Sequence, residues 1–104
     1  MAISERRYAA ELIDAGGDVF KFDDIGCMIH FAQQRGWIDH PPVRFVHDYD
    51  SPAWLEAGRA RFVRSPEIPS PMSSGLLSVK DAAKAERYAA RFHGRVCTLA
   101  ELWK

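Results

Sequence analysis

Met72 lies in the segment Pro69-Ser70-Pro71-Met72-Ser73-Ser74-Gly75, where every neighbour is small, polar or a turn former. Pro69 and Pro71 fix φ on the approach and Gly75 is free beyond, so the thioether is held on a stiff loop outside any apolar periodic run. Thioether sulfur is soft and polarizable, and soft sulfur ligands select Cu(I). The competing use is a gap-filling methionine folded back onto a core, the commoner role of a lone Met. Cys27, Met28 and His30 are the other soft or borderline ligands. Met28 falls on an apolar helical stripe, which favours packing for it. Cys27 and His30 are three residues apart on one helix, so a Cys-His nucleophilic pair is geometrically allowed. A helix N-terminus lowers a thiol pKa, Asp23 and Asp24 oppose that effect, and no third orienting group is apparent. The packing alternative sets Cys27 against Phe31, one turn on. His40 and His47 flank a strand without a ligand-spaced partner, and His93 sits at a helix C-terminus, where a cation is favourable. The sequence has no His-x-x-x-His, carboxylate cage or glycine-rich phosphate loop, so it does not read as a hard-metal or nucleotide enzyme.

The elements that must position these residues read as α+β. Arg7 to Ile13 is expected as a strand with Tyr8, Ala10 and Leu12 on one face. Ala15-Gly16-Gly17-Asp18 turns it back into Val19-Phe20-Lys21-Phe22, a hairpin. Asp23 is expected to cap a helix, with Asp24 in its first turn. Ile25, Met28, Ile29 and Ala32 form its apolar stripe and Gly36 ends it. Trp37 to Pro42 reads as a loop, Val43 to His47 as a strand, and Ser51-Pro52 as the start of a turn or helical piece carrying Trp54 and Leu55. Arg59 to Arg64 and Leu76 to Val79 are further strands. A helix follows over about 81–92, with Ala82, Ala85, Ala89 and Phe92 inward. Lys80, Lys84, Arg87 and Arg91 make its solvated face, with a partner site as the alternative use. Gly94 ends that helix, Val96-Cys97 is a short strand, and Thr98 caps a final turn ending at Trp103. The order strands, cap, helix, glycine, strand occurs twice, which divides a single domain into weakly similar halves at about 1–48 and 59–98.

The chain has 104 residues, enough for one domain that folds without staples. Its 14 Lys and Arg balance its 14 Asp and Glu, which argues against broad electrostatic binding to nucleic acid or anionic membrane. No stretch approaches the ~20 apolar residues of a membrane helix, and the first residues lack the apolar core of a signal peptide. Cys27 and Cys97 are far apart and form no Cys-x-x-Cys. One disulfide or two reduced thiols are both open, and buried reduced thiols are the default.

The run Phe22-Asp23-Asp24-Ile25-Gly26-Cys27-Met28 after a hairpin, the Pro71-Met72 pair, and the terminal Gly94-Arg95-Val96-Cys97-Thr98-Leu99 together resemble the NosL family. The resemblance covers nearly the whole chain. Members are accessory lipoproteins of nitrous oxide reductase that handle copper. The family carries a Cys-Gly-Met motif just before its first strand and a lipidated cysteine farther upstream. The spacing to Tyr8-Ala9-Ala10-Glu11-Leu12 makes Met1 the methionine of that motif, with its cysteine upstream of residue 1. The chain is therefore expected to start late, a divergent cysteine-lacking relative being the alternative. The resemblance implies Cu(I) as cargo, with Met72 and Met1 as ligands; Cys27 is a further candidate by its residue type alone. The missing thiolate would leave the site weak. It also implies a copper-receiving metalloenzyme, nitrous oxide reductase, as partner. The expected location is the periplasm or outer face of the cell membrane, through a lipid anchor absent from this chain, or the cytoplasm if Met1 is the true start. Two other classes stay open. One is a thiol enzyme centred on Cys27, and the other is a metal-free interaction module.

Overall fold

The computed structural model describes residues 6–103. Seven strands and three helices follow one another: β1 Ala10–Ile13, β2 Val19–Phe22, α1 Ile25–Gln34, β3 Val43–His47, β4 Trp54–Glu56, β5 Arg61–Arg64, β6 Leu76–Val79, α2 Ala82–Phe92, β7 Arg95–Cys97 and α3 Leu99–Leu102. They build an α+β fold with two antiparallel sheets, ordered β2-β1-β3-β4 and β6-β5-β7. Each sheet is made the same way. A first strand pairs with the second through a hairpin and, on its other edge, with the strand that follows the helix. The repeat is one of topology, with connections of different length in the two sheets.

The first core forms because β1 alternates and α1 has a 3.6-residue apolar stripe. Ala10 and Leu12 of β1, Val46 of β3, and Ile25, Met28, Ile29 and Ala32 of α1 close on one another with Phe62, Leu76, Cys97 and Trp103 of the second half. Burying each large side chain contributes about 1.5–3 kcal/mol. Met28 is fully buried, as its place on the stripe requires. The second core lies between the other sheet and α2, where Val63, Leu77, Val79, Ala85 and Ala89 meet Tyr8 and Tyr49. Since α1 also touches β6, it lies against both halves.

Several boundaries differ from the sequence reading. Arg6–Tyr8 is a 3-10 turn and β1 begins at Ala10. Tyr8 therefore leaves the β1 face and stacks edge-on against Tyr49, with centroids 5.7 Å apart. Trp54 and Leu55 belong to an edge strand, since three residues are too few to display alternation. Ala57–Arg59 is a 3-10 turn and β5 starts at Arg61. On α2, Ala82 is exposed and Tyr88 packs inward instead. Lys84 of the basic face pairs with Asp50 at 3.5 Å. Among the described residues, no helix is long and apolar enough to cross a membrane.

Candidate metal-binding loop

The residue that caps α1 is Asp24, where Asp23 was expected. Asp24 has extended φ and ψ, and its Oδ1 accepts the Gly26 N–H at 2.8 Å, taking up one donor the first turn cannot satisfy internally. The choice between the two adjacent aspartates is made from 48 residues away. The Met72 backbone N–H donates to Asp24 Oδ2 at 2.9 Å, so one carboxylate caps the helix and tethers the Met72 loop. Asp24 is 0% exposed. Burial raises its pKa, but hydrogen bonds from the Ser74 hydroxyl, the Met72 and Gly26 N–H groups and the Ser70 hydroxyl outweigh that. Together they hold it below the usual carboxylate value. A buried anion thus lies under the loop.

The loop is fixed on its other side by its own backbone. Ser73 N–H donates to Ser70 O at 3.0 Å, and Ser70 Oγ accepts from Gly75 N–H at 3.0 Å. Gly75 has φ +70°, and a Cβ there would lie 2.4 Å from Ser65 O, so glycine is required by conformation and by space. Gly26 answers it from the helix: a Cβ at this position would meet Ser74 Cβ at 2.5 Å. Side-chain-free backbone at the head of α1 lets the loop press against the helix. Met72 nonetheless turns outward and is 62% exposed, so the gap-filling role does not describe it.

Cys27 sits on the same first turn, its N–H donating to Asp24 O at 3.1 Å. One residue therefore ties the Met72 loop and the Cys27 turn together. Cys27 is half-buried, and its thiol pKa is pushed up, first by burial and then by the charges of Asp24 and Asp23. A protonated thiol is a poor nucleophile. His30 is exposed, and among the described residues no hydrogen bond joins it to Cys27. Both cysteines are free. Cys97 is buried in the first core, and burial raises its pKa as well.

The remaining histidines are placed elsewhere. His47 is buried with Nδ1 2.9 Å from Asp48 O and its ring edge-on to Trp54, and His93 is the left-handed cap of α2, 3.1 Å from Glu67. His40 lies in the exposed loop before β3. Met1 lies outside the described residues. Among the described residues, no group of three or more His, Cys, Asp or Glu side chains is placed to hold a metal ion. What sequence reasoning missed is the pairing of Asp24 with Met72. A buried acid in a run already rich in caps gives no local signal of a distant partner.

The family model for NosL matches residues 1–104. Among solved structures, a crystal structure of the copper chaperone NosL from Shewanella denitrificans superimposes with a TM-score of 0.84 at 21% identity. It covers 97% of this chain and 83% of that one. No curated protein sequence matches.

Proposed function

We propose, for a chain that belongs to the NosL family, that it is a copper-binding accessory protein, and no enzyme, which holds Cu(I) at Met72 and passes it on. The observation that carries this reading is the exposed Met72 thioether on a loop tethered by the buried Asp24 carboxylate. Thioethers neither titrate nor form disulfides, so they stay ligands under oxidising conditions. Exposure suits a carrier, because its cargo must leave by exchange onto a partner's ligands. Asp24 adds a negative charge beneath the neutral Met72 thioether, which by itself leaves a bound cation uncompensated.

Cys27 is the second arm of the proposed site and Met1 a third. The carboxylates that disfavour a free Cys27 thiolate favour a cation beside it. By family resemblance the receiving enzyme is nitrous oxide reductase, and the location is the periplasm or outer face of the cell membrane. The test is titration of Cu(I) against a colorimetric chelator, wild type against Met72→Ala and Cys27→Ser. Loss of affinity by at least ten-fold in Met72→Ala is expected, and equal affinity removes Met72 from the site. A metal-free interaction module would show no rise in melting temperature on adding Cu(I), whereas a ligand of the native state raises it.

A further inference from the structure

We propose that the rim beside Met72, centred on Arg64 and Arg95, is a docking surface for an acidic segment of the protein that receives the copper. This rests on the copper reading of Met72 and adds to it the chemistry of the partner. The β5–β7 register sets Arg64 directly opposite Arg95. Directly opposed residues of an antiparallel pair point to the same face, and like charges so placed oppose folding. Both guanidinium groups are exposed, and among the described residues neither has an ion-pair partner.

The acids nearby are engaged elsewhere. Glu67 faces His93 at 3.1 Å, and Glu101 closes the capping box of α3, accepting the Thr98 N–H at 3.0 Å. Two uncompensated cations therefore stand side by side on a chain whose formal net charge is zero. Arg64 also lines a groove of about 430 Å³ with Gly26, Ile29, Ser73, Ser74 and Leu76. Ser73 and Ser74 follow Met72 directly, so the groove runs along the loop that carries the proposed thioether ligand. The two guanidinium forks suit carboxylates presented by a partner, which would be guided to the rim and oriented toward the thioether.

The experiment uses the full chain and two synthetic peptides with the same methionine-rich acceptor core, one flanked by aspartates and one by lysines. Binding to the metal-free protein is followed by fluorescence anisotropy at low and at 0.5 M salt, and Cu(I) transfer from the loaded protein by stopped flow. At low salt the aspartate-flanked peptide is expected to bind and to receive copper about ten-fold better, with the gap closing at high salt. Joint replacement Arg64→Glu and Arg95→Glu should reverse the preference while chelator-measured Cu(I) affinity holds. Arg64→Lys with Arg95→Lys should keep it. Equal binding of the two peptides, or a preference that survives the glutamate variant, overturns the proposal. A wild type that prefers the acidic peptide but takes up no Cu(I) overturns the copper reading instead, because the anisotropy arm needs no metal.

Discussion

Replacing Asp24 by alanine removes a buried carboxylate that serves two segments at once, and the cost can be worked from its partners. The helix cap contributes about 1 kcal/mol. The charge-assisted bond from Met72 N–H contributes about 2 kcal/mol, and the bonds from Ser70 and Ser74 about 1 kcal/mol each. Release of a desolvated charge returns about 2 kcal/mol. The net expectation is a loss of about 3 kcal/mol, which for a domain of this size lowers the melting temperature by about 12–24 °C. Urea denaturation followed by circular dichroism measures the loss directly. The pH dependence carries the sign. Asp24 has a folded pKa held below the ordinary carboxylate value, so the extra stability of wild type is fully present above the ordinary carboxylate range. It is lost as the pH falls through the lowered folded value. Asp24→Asn, which keeps one acceptor but turns an NH2 toward a donor, should fall between wild type and alanine. Because the Met72 loop is released, Cu(I) affinity should drop in Asp24→Ala even where the protein is still folded. A loss below about 0.5 kcal/mol, or unchanged Cu(I) affinity in folded Asp24→Ala, would refute the tether.

Met72→Ala should change stability by less than about 0.5 kcal/mol, because the side chain is exposed and only its backbone N–H is anchored; thermal denaturation without metal checks this. If Cys27 is a ligand, binding releases its proton, and Cu(I) affinity rises about ten-fold per pH unit below the raised thiol pKa. Titrations from pH 6 to 8 should show that slope in wild type and a flat line in Cys27→Ser; a flat wild-type profile removes Cys27 from the site. Alkylation of Cys27 by iodoacetamide at pH 7 should be slower than that of an unstructured thiol, and a fast reaction would revive the thiol-enzyme reading. Gly26→Ala should cost about 1–3 kcal/mol by driving a methyl into Ser74, measurable by urea denaturation, with the Met72 loop more open to protease.

Much of the fold follows from short-range pattern. The α1 stripe, the Val19–Phe22 return strand, the Thr98 cap and the Gly36 stop are all local signals, and the structure keeps them. The edge strand at Trp54 escaped because three residues hold too little alternation to distinguish it from a turn. Tyr8 escaped because its face was decided by Tyr49, not by its neighbours in sequence. In the Met72 loop, Pro69, Pro71 and Gly75 announced stiffness, and the lone exposed thioether is the residue type on which the proposed soft-metal role rests.

Sequence by itself determined which residues could be ligands, which helix face is buried, and which family the pattern resembles. These properties reside in side-chain chemistry and in periods of two or 3.6 residues. Tertiary structure decided that Asp24 and not Asp23 is the cap, that its second oxygen anchors a backbone 48 residues away, and that Met72 faces outward. It alone set Arg64 opposite Arg95, since register is fixed by strand pairing and core burial, which no local window contains.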